Sequence, residues 1–265
     1  MLKTNSCIIK IVLVISLISV LSLTSVFAEH KSDDQVMVKI GLKYNDTNVN
    51  RVDFSSELGF YIKEHIGSQD VFEKLLFQVP NKALWSRKDT AYHVRINKTY
   101  ENTDAAWQAK KSLVDNGFDA FYRYEKGLFL VYVGSYATHD EAANMKNKVA
   151  GFTGHEAVVL KPTSTDVRIY VGDKILVFYN ASETNLFFQG VESEDKPSLF
   201  TYNNKQYRNG IGFTRTMESD MAVINYVHMN EYLYGILPKE MSGSWPLEAL
   251  KAQAVAARSY STVTN

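Results

Sequence analysis

The chain has one cysteine in 265 residues, Cys7, and it precedes the apolar run rather than following it, where a lipoprotein cysteine would sit. The rest of the sequence has no thiol to close a disulfide or to ligate a metal. No metal site and no cofactor are expected. An excess of charge of either sign is missing too, since 29 basic and 29 acidic residues give a formal net charge of zero. A protein that holds nucleic acid by neutralising phosphates needs a basic surplus, so nucleic acid is not an expected partner.

What is present begins with an export signal. Lys3 and Lys10 precede "IVLVISLISVLSLTSVFA", an uncharged run closing on Val26-Phe27-Ala28. Small residues at positions 26 and 28 fit cleavage before Glu29, and the run is also near the ~20 residues that span a bilayer. Cleaved or kept as an anchor, residues 1–28 place the remainder outside the cytoplasmic membrane, in the cell envelope, with membrane contact only through this segment. The whole chain is 45% hydrophobic and carries 16 tyrosines and 14 phenylalanines, most of them in the exported part. That composition fits a sheet-rich fold of one large or two modest domains.

Strand signals start at once. "VMVKIGLKY" (36–44) alternates apolar and polar residues, and "NRVDFSSELGFYI" continues as short strands broken near Gly59. "QDVFEKLLFQV" suits a helix or a strand, and "VPNKALWSRKDT" reads as a loop. An internal duplication follows at a shift of 37 residues, pairing Val94 with Val131, Ile96 with Val133, Ala105-Ala106 with Ala142-Ala143, Gly117 with Gly154 and Ala120 with Ala157. Each copy runs strand, polar turn, helix, strand. Asp104 or Glu141 stands at the helix start, and Gly117 or the Gly151 region at its end, as the helix dipole and the left-handed cap position favour. Two such units predict a βαββαβ, ferredoxin-like sheet with both helices on one face.

This region, about residues 91–161, resembles the SPOR family, the sporulation-related repeat of bacterial envelopes, most clearly at "LFLVYVGSYATHDEAANMKNKV". The resemblance implies binding to peptide-stripped peptidoglycan strands through the face away from the helices. If Val94, Ile96, Val131 and Val133 face the helices, alternation puts His93, Arg95, Leu130 and Tyr132 on the other side. Tyr132 would offer a ring to a sugar and Arg95 a fork of donors; His93 is the third glycan-binding candidate.

Past Pro162 strands resume, divided by turns at Gly172-Asp173, Asn203-Asn204 and Asn209-Gly210. "MNEYLYGIL" then reads as a helix with Asn230 as N-cap and Leu233, Ile236 and Leu237 on one face. A second helix is expected from Trp245-Pro246, with Leu247, Leu250, Ala254 and Ala257 as its buried stripe and Arg258 beyond it. Glu248 in its first turn is accounted for by the helix dipole. Glu240, between the helices and flanked by Met241 and Trp245, has no such structural reason. A carboxyl partly desolvated by those neighbours could stay protonated and act as an acid.

"NEYLYGILPKEMSGSWPLEALKAQAVAARSYS" resembles the signature of the stage II sporulation protein D family, also called the amidase-enhancer family, and "VKIGLKY…SSELGFYI" is similar to its opening strands. The resemblance implies an α+β fold: a β-rich domain with a two-helix catalytic segment, interrupted by the SPOR-like unit. The expected boundaries are 1–28 for the export segment, 36–88 for the first part, 89–163 for the insertion and 164–265 for the second part. That family's domain continues beyond the signature helix, so the chain is expected to be C-terminally truncated. The resemblance also implies a lytic transglycosylase with Glu240 as catalytic acid, cutting glycan between N-acetylmuramic acid and N-acetylglucosamine to leave 1,6-anhydro ends, with a wall amidase as partner. A hydrolase using Glu248 as second carboxylate ranks behind it. The reading of a different class is a non-catalytic envelope protein that binds stripped glycan and stimulates an amidase.

Overall fold

The computed structural model describes residues 36–44, 49–67, 73–215 and 221–264, so the predicted export segment lies outside the described residues. The chain opens with strands β1 (Met37–Lys43), β2 (Val52–Ser55), β3 (Phe60–His65), β4 (Glu73–Val79) and β5 (Ala83–Lys88). The duplicated stretch follows as β6 (Tyr92–Tyr100), α1 (Thr103–Asp115), β7 (Ala120–Glu125), β8 (Leu128–Tyr136), α2 (His139–Thr153) and β9 (Ala157–Leu160). Then come β10 (Asp166–Val171), β11 (Lys174–Asn180), β12 (Leu186–Gly190) and β13 (Leu199–Tyr202). The strands β14 (Lys205–Arg208), β15 (Gly210–Arg215) and β16 (Met221–His228) lead into α3 (Met229–Glu240) and α4 (Leu247–Thr264). The fold is β-rich α+β. Among the described residues no helix is long and apolar enough to cross a membrane.

Two sheets form. The first has six strands in the order β1-β16-β15-β12-β3-β4, and the second has ten, in the order β14-β13-β2-β5-β10-β11-β7-β8-β6-β9. Alternation explains how they meet: Val52 and Phe54 of β2 are buried while Asp53 between them is exposed, and Phe60 and Ile62 of β3 are fully buried. The Phe54 ring, from the second sheet, lies 5.3 Å from Phe60, 5.6 Å from Phe188 and 5.7 Å from Phe213, all from the first. Each such ring contributes roughly 1.5–3 kcal/mol by leaving water. Gly59 makes the corner into β3. Its φ is +94°, and a Cβ there would stand 2.3 Å from the Val79 carbonyl oxygen, so only glycine fits. The first sheet curls far enough that Glu73 on its β4 edge comes within 3.5 Å of His228 at the end of β16.

"ALWSRK", read from sequence as loop, is instead β5, a strand with neighbours on both sides, β2 and β10. Its Leu84 and Ser86 are buried. The ambiguous stretch before it resolves to strand from Glu73 onward; residues 68–72 lie outside the described residues.

The duplicated stretch forms the βαββαβ arrangement, antiparallel throughout, in the order β7-β8-β6-β9. Val94, Ile96, Val131 and Val133 pack against Leu113 of α1 and Ala142 and Val149 of α2, as alternation predicts. Thr138 and Glu141 close a capping box at the start of α2, and Gly154, in the left-handed conformation, ends it one turn later than the expected Gly151. The unit is continuous with the rest, however. Its β7 pairs in parallel with β11, which merges it into the ten-stranded sheet.

Candidate functional site

The face of the βαββαβ unit away from its helices was expected to be open to a glycan, and it is closed. Tyr132 is 1% exposed and His93 2%. The cause is the parallel pairing of β7 with β11. It brings Phe178, Ile175 and Tyr170 onto the same face as Phe121, Leu130 and Tyr132, and the sheet curls until they form one cluster. The His93 ring of β6 lies 5.1 Å from Phe178 of β11, although β7 and β8 stand between them in the sheet order. Burial pushes the Tyr132 hydroxyl up to about 12. Arg95 is only half-buried, but it stands beside that closed face without an accessible ring to work with. The assignment of Tyr132 and His93 as sugar contacts is therefore corrected: they are interior residues.

That interior also holds charge. His93 Nδ1 is 2.6 Å from the Gly134 carbonyl oxygen, and its Nε2 is 3.2 Å from both Asp89 carboxylate oxygens. Arg168 stands on the other side of Asp89. Burial alone would raise the Asp89 carboxyl; the bonds from His93 and the Ala91 N–H, with the Arg168 charge, overcome this and hold it below the usual carboxylate range. Every group here faces a partner, so the cluster is a structural tie.

The other sequence-predicted site is built on α3 and α4. Met229 and Leu233 of α3 are buried against Val38 and Val227, with Ile236, Leu237 and Ala257 of α4 at the margin. Asn230 does not cap the helix. His228 occupies the cap position without a side-chain bond, and the Asn230 Oδ1 instead accepts from Arg258 Nη2 at 3.3 Å, tying α4 to α3. The second helix starts at Leu247 after Pro246, close to expectation, but its buried stripe is shorter than expected. Leu247 is 64% exposed and Leu250 and Ala254 only half-buried.

Glu240 is the last residue of α3. The helix closes behind it through the Met241 N–H donating to the Leu237 carbonyl oxygen at 3.0 Å. The expected desolvation by Met241 and Trp245 is not present: Glu240 is exposed, and Trp245 is itself 53% exposed. Among the described residues nothing engages the Glu240 carboxylate. Glu248 differs, because Lys251 donates to it at 2.9 Å along α4.

Along α3 runs a cleft of about 730 Å³, lined in part by Tyr207, Arg208, Tyr232, Tyr234, Ile236 and Lys239. Arg208 spans it, 3.4 Å from Glu231 and 5.9 Å from the Tyr234 ring centre. Glu240 is one helical turn beyond Ile236, at the end of this wall. Rings, guanidinium and amine line the cleft, and Glu240 follows the lining residue Lys239 on the same helix without lining the cleft itself. That set can hold a polyhydroxylated chain and offer it a proton. Sequence reasoning passed over Tyr207 and Arg208, which sit on a strand hairpin remote from α3 in the chain. Tyr232 and Tyr234 were within the quoted motif but carried no signal of their own.

Residues 217–265, which contain both helices and Glu240, match a known family model. The family is described as Stage II sporulation protein. A relative from Brachyspira hyodysenteriae (strain ATCC 49526 / WA1), an uncharacterized protein, is 33% identical over 106 residues, which is 40% of this chain. The match spans 28% of that relative's length. No solved structure matches the chain.

Proposed function

We propose that the protein is a lytic transglycosylase of the cell envelope, acting on peptide-stripped peptidoglycan with Glu240 as its proton donor. The observation that carries this reading is Glu240 itself: an exposed carboxylate with no partner among the described residues, ending the helix that walls an aromatic cleft. The match of the same segment to the Stage II sporulation protein family supports a role in peptidoglycan remodelling.

In this reading the protonated Glu240 donates to the oxygen leaving between N-acetylmuramic acid and N-acetylglucosamine. The resulting carboxylate then takes the proton of the muramic 6-hydroxyl as that oxygen closes on C1, which breaks the glycosidic bond and leaves a 1,6-anhydro end. One carboxylate serves both steps, so Glu248, held by Lys251, is not required. A wall amidase acting first would supply the stripped strand. Export through residues 1–28 would bring the enzyme to it.

One observation favours the second reading, a non-catalytic glycan-binding protein that stimulates an amidase. Glu240 is exposed and Trp245 is 53% exposed, so the enclosed acid site that the catalytic reading expects around Met241 and Trp245 is not formed. Mass spectrometry of peptide-free glycan after incubation with the protein separates the two. Anhydro-muramic ends support the transglycosylase, and intact strands that co-sediment with the protein support the binding role.

A further inference from the structure

Two hairpin tips border a second groove, remote in sequence from α3. One tip is Gly172-Asp173, between β10 and β11; the other is Asn203-Asn204, between β13 and β14; strands β2 and β5 supply the floor. Its volume is about 750 Å³, within the range of small-ligand pockets.

The floor carries a fixed aromatic platform. The Trp85 indole stacks on Tyr170 with ring centres 3.8 Å apart and planes 5° from parallel, and its Nε1 donates to the Gly172 carbonyl oxygen at 2.7 Å. Stacking and hydrogen bond together hold the ring in one plane. Tyr170 takes one face, so the Arg51 guanidinium, 4.2 Å from the ring centre, covers the other. That cover is light. The Arg51 side chain is 56% exposed and is paired with Asp53, itself 65% exposed, a kind of contact worth little in water.

The lining decides the ligand class. Lys43 and Arg51 are balanced by Asp53 and Asp173, so neither an anion nor a cation meets a field of one sign. Between them lie the hydroxyls of Ser55 and Thr201 and the carboxamides of Asn203 and Asn204, which donate and accept in equal measure. A flat apolar ring beside neutral two-way hydrogen-bonding groups suits a molecule with one apolar face and a rim of hydroxyls.

We propose that this groove binds an uncharged oligosaccharide, which stacks on Trp85 in place of the Arg51 guanidinium and bonds to the Asn203-Asn204 tip. It supplies a half-buried ring under one exposed guanidinium, where Tyr132 is sealed in the interior, and it does not depend on Glu240 being an acid.

The test is a titration of the protein with chitotetraose, cellotetraose and, as an anionic control, a heparin tetrasaccharide. Trp107→Phe and Trp245→Phe leave Trp85 as the only reporter, and calorimetry checks the fluorescence. A saturable change is expected with at least one uncharged tetramer and not with heparin. Trp85→Ala removes the fluorescent reporter and is therefore read by calorimetry alone, where the heat of binding should disappear. Asn204→Gly should weaken it about fivefold, the loss of roughly one hydrogen bond. Asn204 has a φ of +59°, which glycine adopts freely, so that variant keeps the turn. Arg51→Ala should bind at least as well, and Glu240→Gln should bind normally. Should Trp85→Ala fail to fold, Asn204→Gly decides alone. No response to either uncharged tetramer, a preference for heparin, or binding unchanged in Asn204→Gly overturns the proposal.

Discussion

Arg168 Nε lies 2.9 Å from Asp89 Oδ1, with only 6% and 1% of the two side chains exposed. The contact is an ion pair rather than an aligned hydrogen bond, since Arg168 Nε has no partner in hydrogen-bond geometry. It joins β10 to the turn before β6, and His93 completes the tie on the other side of the carboxylate. The duplicated unit is thus held to the rest of the sheet by charge as well as by pairing.

Asp89→Asn should therefore destabilise the protein strongly. It leaves Arg168 buried beside a neutral group, for which the cost is about 3–5 kcal/mol. The pH dependence follows from the direction of the Asp89 shift. Its folded-state pKa is lowered, so its contribution is fully present above the unfolded value, about 3.9, and is lost as pH falls through the lower folded value. Urea unfolding of the two proteins between neutral pH and pH 3 checks this. Equal stability at pH 7 would sink it.

Tyr132→Ala reports on the closed face. A side chain in the interior should cost about 3–5 kcal/mol when truncated, and glycan binding by the folded protein should not depend on it. If the variant melts like the parent but no longer binds glycan, the ring is exposed in solution and the burial is wrong.

The same residue shows what could be read in advance and what could not. Alternation correctly sorted Val94 and Val131 from His93 and Tyr132, because side-chain direction in a strand is local. The repeat at a 37-residue shift gave the βαββαβ order for the same reason. Whether the second face met water depended on Val177 pairing with Tyr122, a parallel contact with no local signature. Ala83–Lys88 lies within "VPNKALWSRKDT", which reads as a loop in sequence. Its strand character comes from β2 and β10 on either side. At the candidate site, Glu240 stood out by having no structural reason for its position. Its exposure depends on how α4 packs against α3, which no spacing encodes.

The bond between Arg258 and Asn230 contributes to that packing, beside the contact of Ala257 with the α3 cluster. Asn230→Ala should loosen α4 with little effect on either sheet, because α3 stays anchored by Met229 and Leu233. A hydrogen bond to a charged group is worth about 1.5–3 kcal/mol. Hydrogen exchange should speed up across residues 247–262 and stay unchanged in β16. Faster exchange throughout both sheets would show that the helix pair is not a separate unit.

Glu240→Gln tests the proposed chemistry most directly. The substitution keeps size and hydrogen bonding but removes the transferable proton. The side chain is exposed and has no partner among the described residues, so folding should be untouched. Formation of anhydro-muramic ends from peptide-free glycan should fall by at least ~10²-fold, the usual loss for a general acid. Glu248→Gln removes one exposed pair with Lys251 and should leave the rate near that of the parent. Binding in the Trp85 groove should survive both changes, since neither residue lines it. Should Glu248→Gln abolish cleavage while Glu240→Gln does not, the proton comes from the second helix and the hydrolase arrangement gains ground. If neither change matters and the parent forms no anhydro ends, the carboxylate at the end of α3 is not an acid and the protein is a glycan binder.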